Sequence, residues 1–164
     1  MKRISSCTLL LIVLLTVGCA ATFVPRSYDV PEQHQLPAFA FTRLTQAHAA
    51  MDYEAVMESR HELRLLFGGD WPADSFSLEE NMADLALHES LFSERTSFTY
   101  TIVNSNGSRV LGCMYINPTD SAGYEAQVHL WVRTSEAHQA AAIRNSAVAW
   151  LDDNWPFDRV LYHW

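Results

Sequence analysis

Residues 124–151 read YEAQVHLWVRTSEAHQAAAIRNSAVAWL, and the side-chain pattern changes period once, near Thr134. Residues 124–132 alternate bulky apolar with polar side chains and are rich in Val, Leu, Tyr and Trp, as a half-buried strand requires. Thr134 and Ser135 are N-cap residue types, and Glu136 suits a first helical turn. Ala140, Ile143, Ala147, Val148 and Leu151 then recur at helical spacing. A strand that runs straight into a helix aims backbone N–H groups beyond the strand end, so this junction is a natural anion site.

Upstream, residues 97–104 (SFTYTIVN) alternate, Ser105-Asn106-Gly107 supplies hairpin turn chemistry, and residues 109–117 (RVLGCMYIN) form the return strand. Residues 118–123 make another turn into the strand at 124–132. Downstream, Asn154-Trp155-Pro156 breaks the helix and residues 159–164 (RVLYHW) form a last strand. In the first half, residues 39–44 make a short strand. Thr45 caps a helix, continuous or kinked, that ends at Gly68-Gly69. Ser77-Leu78-Glu79-Glu80 is a capping box, with Met82, Leu85, Ala86, Glu89 and Phe92 along one stripe of the helix after it. An antiparallel meander followed by a strand–helix–strand crossover predicts an α+β fold: a mixed, mostly antiparallel sheet with helices on both faces.

The chain of 164 residues, 49% apolar and 12% aromatic, is enough for one domain with a core. The formal charge is −8, and Lys2 is the only lysine. Without Lys2 and Arg3 the body has 9 basic against 19 acidic residues. Such a surface excludes nucleic-acid binding, which needs clustered cations for phosphate. Residues 1–18 read as a signal peptide: Lys2-Arg3, then an apolar run over 8–17 too short to span a bilayer of ~30 Å. Val17-Gly18-Cys19 resembles the cleavage box of bacterial lipoproteins, which implies a lipidated Cys19, a membrane anchor and an envelope location, and Ala20 after the cysteine resembles the outer-membrane sorting pattern. An ordinary secretory signal and an uncleaved anchor are the alternatives. Residues 19–37, with Pro25, Pro31 and Pro37, are expected to be an extended tether to a domain at 38–164. Cys113 lies in an apolar strand and is expected to be a buried, inert thiol.

The element order, with the phrases RVLGCMYINP and AQVHLWVRTSE and the ending PFDRVLYHW, resembles the GNAT superfamily of acetyl-CoA-dependent N-acetyltransferases over residues 39–164. The resemblance implies acetyl transfer from acetyl-CoA, as co-substrate, to an amine on a small molecule or a protein. It implies that the pantetheine arm pairs with backbone at Leu130, Trp131 and Val132. The pyrophosphate would lie on the turn into the next helix, where Ala140 and Ala141 present N–H groups.

The chain departs from the family at this turn. RTSEAHQAAA contains no glycine, where the family carries Arg/Gln-x-x-Gly-x-Gly/Ala, and Glu136 places a negative charge beside the expected phosphates. Gln127 stands where many members have a glutamate base. Glu125 and His129 share its strand face by the period of two and are the candidate proton acceptors. The resemblance also implies a thiolate-protonating tyrosine in a helix after the fifth strand and a last hairpin, and the sequence ends at Trp164 before either. Seven histidines show no HxH or HExxH spacing, so no metal site is expected, although His129 and His163 fall on strands expected to be neighbours. Two functions follow: an acyl-CoA N-acyltransferase, or a non-catalytic GNAT-fold lipoprotein serving as a binding module. The second draws support from the export signal, because acetyl-CoA is cytoplasmic. A cone-shaped NTF2-like sheet is disfavoured by the C-terminal crossover.

Overall fold

A computed structural model describes residues 23–164. Residues 1–18, read as a signal peptide, and Cys19 lie outside the described residues. Six strands form one sheet in chain order: β1 (Gln33–Gln35), β2 (Phe39–Arg43), β3 (Phe98–Asn104), β4 (Val110–Asn117), β5 (Ala126–Val132) and β6 (Val160–His163). Every pairing is antiparallel except β5 with β6. Helices α1 (Ala49–Glu58), α2 (Arg60–Phe67), α3 (Leu78–Glu94) and α4 (Ala140–Asn154) cover the sheet. On one face Ile143, Ala147, Trp150 and Leu151 of α4 pack on Phe41, Val128 and Leu130. On the other, Ala55, Val56, Leu63 and Leu85 meet Cys113 and Trp131. This is the α+β arrangement that the order of elements predicts.

Local chemistry explains the element ends. The capping box forms: Ser77 N donates to Glu80 Oε2 at 2.7 Å, and Glu80 N donates to Ser77 Oγ at 3.2 Å. The first helix breaks at Ser59, and α2 stops at Gly68, whose φ of +68° suits a residue without Cβ. Met82, expected on the packed stripe of α3, is 43% exposed, whereas the neighbouring Asn81 is buried. Asn81 Nδ2 donates to Ala49 O and to Asp52 Oδ2, so a polar clamp joins α3 to α1. Strand β3 is buried over Phe98–Val103 despite its alternating sequence, because helices cover both of its faces. Cys113 is fully buried, and that burial pushes its thiol well above the ordinary range.

The segment before Pro37 differs from the expected tether. Gln33–Gln35 adds an antiparallel strand to the β2 edge. Val24 is fully buried, and Phe23 stacks on Phe98 and Phe157. Tyr100 Oη donates to Pro31 O at 2.6 Å. The prolines break any periodicity, but isolated apolar residues still find the sheet and hold an irregular chain against it. This segment covers the β2 edge, and β6 is the other outer strand of the sheet.

The register around β5 creates the opening that matters. Strand β4 pairs with β5 from Asn117↔Gln127 through Gly112↔Val132. Strand β6 pairs only from Ala126↔Val160 to His129↔His163. Arg133 N donates to Leu111 O of β4, at 2.7 Å. Backbone groups alternate along a strand, so the N–H and C=O of Val132 turn to the opposite edge, beyond the end of β6.

Candidate functional site

Two cavities flank β5. A cleft of about 590 Å³ opens past the end of β6, lined by Leu130, Trp131, Val132, Ala140, Arg144 and Trp164 among others. A second cavity, of about 370 Å³, lies under α1 and α3 and includes Asp52, Asn81, Asp84, His88, Tyr115 and His129. His163 belongs to the first wall and His129 to the second. Their rings stack with centroids 4.3 Å apart and planes 11° from parallel. The two imidazoles thus stand between the cavities.

His129 is held against Phe67, ring centroids 5.7 Å apart, on the face of β5 that carries Trp131. Burial lowers its pKa below the ordinary 6.5, and the neighbouring His163 lowers it further. At neutral pH His129 is therefore an uncharged imidazole able to accept a proton. In the same cavity, burial raises the Asp52 carboxyl to about 6; the Asn81 hydrogen bond opposes the shift and Asp84 adds to it. Two carboxyl groups, Asp52 and Asp84, give this cavity an acidic wall suited to an amine or ammonium group.

Glu125 is placed elsewhere. Its Oε2 accepts from Asp158 N at 2.6 Å and from Arg159 N at 3.2 Å, and it lines neither cavity. Glu125 lies in a bend just before β5, and the loop before β6 takes up its carboxylate. Gln127 Nε2 is likewise used, donating to Pro118 O at 3.2 Å.

The strand–helix junction holds the largest departure from expectation. A 3-10 turn over Thr134–Gln139 precedes α4, so the helical run begins six residues before Ala140. Ala140 N is bonded to Ala137 O within that run, and Ala141 is exposed and outside the cleft lining. Neither alanine is at the leading end of the helix. The leading N–H groups are those of Thr134 and Ser135, and both are taken. Thr134 N donates to Ser59 Oγ at 3.1 Å, and Ser135 N donates to Glu58 Oε1 at 2.9 Å. Arg133, 6% exposed, closes the other carboxylate oxygen through Nε at 2.6 Å. Partial desolvation raises the Glu58 pKa, but hydrogen bonds from Ser135 and Arg133 outweigh it and hold the carboxyl at about 2.

Glu136 is not left facing a ligand either. Its Oε1 pairs with Arg109 Nε at 3.0 Å, and its Oε2 accepts from Gln139 Nε2 at 2.8 Å. Thr134 Oγ1 donates to Glu62 Oε2 at 3.1 Å. Three carboxylates therefore ring the turn, and the two nearest cations, Arg109 and Arg133, are already paired. The pantetheine half of coenzyme A fits this site: an extended, amide-bearing arm matches the open Val132 edge and the apolar cleft wall. The diphosphate half does not fit, because the junction is filled by the protein's own anion.

The Glu58 arrangement has a direct consequence for stability. A carboxyl whose folded pKa is lowered from 4.5 to about 2 binds protons more weakly when folded. Its stabilising contribution is complete above pH 4.5 and is lost as the pH falls toward 2. Chemical denaturation across this range should give a steep loss for the wild type and a visibly flatter one for Glu58→Gln. Parallel curves would show that Glu58 is not held as an anion.

No protein-family model and no curated protein matches the chain. Solved structures do. A ribosomal-protein-S5-alanine acetyltransferase from Vibrio fischeri aligns at TM-score 0.64 and 14% identity, over 82% of this chain and 73% of that one. The chain has the GNAT acetyltransferase fold. A ribosomal L7/L12 α-N-protein acetyltransferase, solved with coenzyme A, aligns at TM-score 0.57 and 15% identity, over 73% and 67% of the two chains. A protein from Bordetella pertussis named for the GNAT family aligns at TM-score 0.56 and 10% identity, over 80% and 78%. At these identities the likeness is one of fold.

Of the residues expected at the site, the structure brings together His129, Leu130, Trp131, Val132 and Ala140 and sets apart Glu125 and Ala141. Among the described residues no group of His, Cys, Asp and Glu has the arrangement of a metal site. The residues that sequence reading missed are Glu58, Ser59 and Asp52. Each acts across more than 25 positions of chain, on Ser135, Thr134 and Asn81. The one local hint was the expected kink in the first helix, which falls at Ser59.

Proposed function

We propose that this GNAT domain is an N-acyltransferase that moves an acyl group from a thioester in the β5–β6 cleft to an amine in the acidic cavity. The observation that carries the reading is the stacked His129–His163 pair between the two cavities. A thioester arm along Val132 brings its carbonyl carbon to the end of β6, and an amine beside Asp52 and Asp84 approaches from the other side. The amine nitrogen attacks the carbonyl carbon, the C–N bond forms and the C–S bond breaks. His129 accepts the amine proton and the thiolate departs, taking a proton from water. A lipidated Cys19 and envelope location remain part of the proposal, carried by the sequence of residues 1–19.

A second reading, a non-catalytic binding module of the cell envelope, is favoured by one observation, the Glu58 carboxylate seated in the anion site. Thiol release separates the two. The full chain is mixed with S-acetylpantetheine or acetyl-CoA and a panel of primary amines. Amine-dependent thiol release above the uncatalysed rate is expected. Thioester binding without release for any amine would leave the binding module as the function.

A further inference from the structure

The anion site at the head of α4 is made by general backbone geometry, and in this chain Glu58 occupies it. Resting on the acyltransferase reading, we propose that the donor is an acyl thioester of pantetheine type lacking the diphosphate and nucleotide, with Glu58 permanently supplying the anion that such a group would bring.

Three observations converge on this. First, the leading N–H groups of the turn have partners within the fold: Ser59 Oγ at 3.1 Å for Thr134, and Glu58 Oε1 at 2.9 Å for Ser135. A diphosphate could bind there only by displacing a carboxylate that is also bonded to a buried arginine at 2.6 Å. Second, the charges near the turn oppose a second anion. Glu58, Glu62 and Glu136 all lie on it, and Arg109 and Arg133 are committed to two of them. Arg144, stacked over the Trp164 ring at 5.8 Å, is a single charge on the cleft wall and cannot offset them. Third, Leu65, Leu66, Leu130 and Trp131 line the cleft together with Val132, which suits an uncharged amide-bearing arm.

The chemistry needs nothing from the missing half of the molecule. The thioester carbonyl and the departing sulfur lie at one end of the arm, next to His129 and His163. Removing the nucleotide changes only what anchors the other end. In this chain that anchoring would come from strand-like backbone pairing and apolar contact.

Calorimetric titration of the full chain with S-acetylpantetheine and with acetyl-CoA tests the proposal. The wild type should bind S-acetylpantetheine at least as tightly as acetyl-CoA. Glu58→Ala, which empties the junction and frees Arg133, should tighten acetyl-CoA by about tenfold and leave S-acetylpantetheine within about twofold. Glu58→Gln, which keeps the shape and removes the charge, should move acetyl-CoA in the same direction by a smaller factor. It guards against misfolding of the alanine variant. If the wild type binds acetyl-CoA more tightly than S-acetylpantetheine, the donor assignment is overturned and the acyltransferase reading stands. If neither ligand binds to wild type or variants, the cleft does not hold a thioester and both fall.

Discussion

His129→Ala should lower amine-dependent thiol release at about pH 7.5 by about 100-fold or more, the usual scale for removing a positioned general base. Binding of the thioester should change little, because His129 lines the acidic cavity and is not among the residues lining the cleft. The pH profile distinguishes proton transfer from packing. Only the neutral imidazole accepts a proton, so activity falls as the pH drops through the His129 pKa. Burial and His163 both place that pKa below 6.5, so the acid limb should lie below 6.5 as well. His163→Phe keeps a flat ring in the stack and removes one of the two causes. The limb should then move upward, toward 6.5. A His129→Ala variant with wild-type turnover, or an acid limb indifferent to His163, would remove His129 from the chemistry.

The largest stability effect should come from Gly112→Ala. Gly112 in β4 lies opposite Val132, and a Cβ placed on it would overlap the Trp131 carbonyl oxygen and stand 3.0 Å from Val132 Cα. The obstructing atoms are backbone, so no rotamer change relieves the overlap and the two strands must part. Overpacking of this kind costs typically 1–3 kcal/mol, and the rigid neighbours here put the expectation at about 3 kcal/mol. For a domain of this size that is a fall of roughly 6–12 °C in Tm. The shift would also carry Val132 away from its place beside the cleft, so thioester binding should weaken in whatever fraction remains folded. A loss under about 1 kcal/mol in thermal melts would show that β4 and β5 tolerate the added methyl.

The same stretch of chain shows how far residue patterns reach. The period change near Thr134 located both the end of β5 and the start of the helical run, because strand and helix place side chains at intervals that depend on sequence alone. The turn at 105–107, the capping box at Ser77 and the stop at Gly68 were legible for the same reason: each is a contact or a backbone preference within a few residues. The order of these elements was enough to indicate the GNAT fold. Residues 23–37 were misjudged because their prolines erase periodicity while single apolar side chains still anchor them to the sheet. Met82 and Asn81 exchanged roles because a clamp to Asp52 outweighed the simple apolar stripe.

The site divided along the same line. His129 came from strand alternation and Leu130, Trp131 and Val132 from the family resemblance, and the four consecutive residues line the two cavities. Glu125 looked equivalent to His129 by alternation, yet the loop at Asp158 and Arg159 had already claimed it. By itself, the sequence determined that a strand would run into a helix, that the junction would offer backbone N–H groups, and that no glycine would widen it. Only the tertiary structure decided what fills those N–H groups. Glu58 lies 77 residues from Ser135, and its carboxylate reaches the turn only because α1 packs against the sheet beside it. Hydrogen bonds between distant segments depend on packing, and packing is a property of the whole fold.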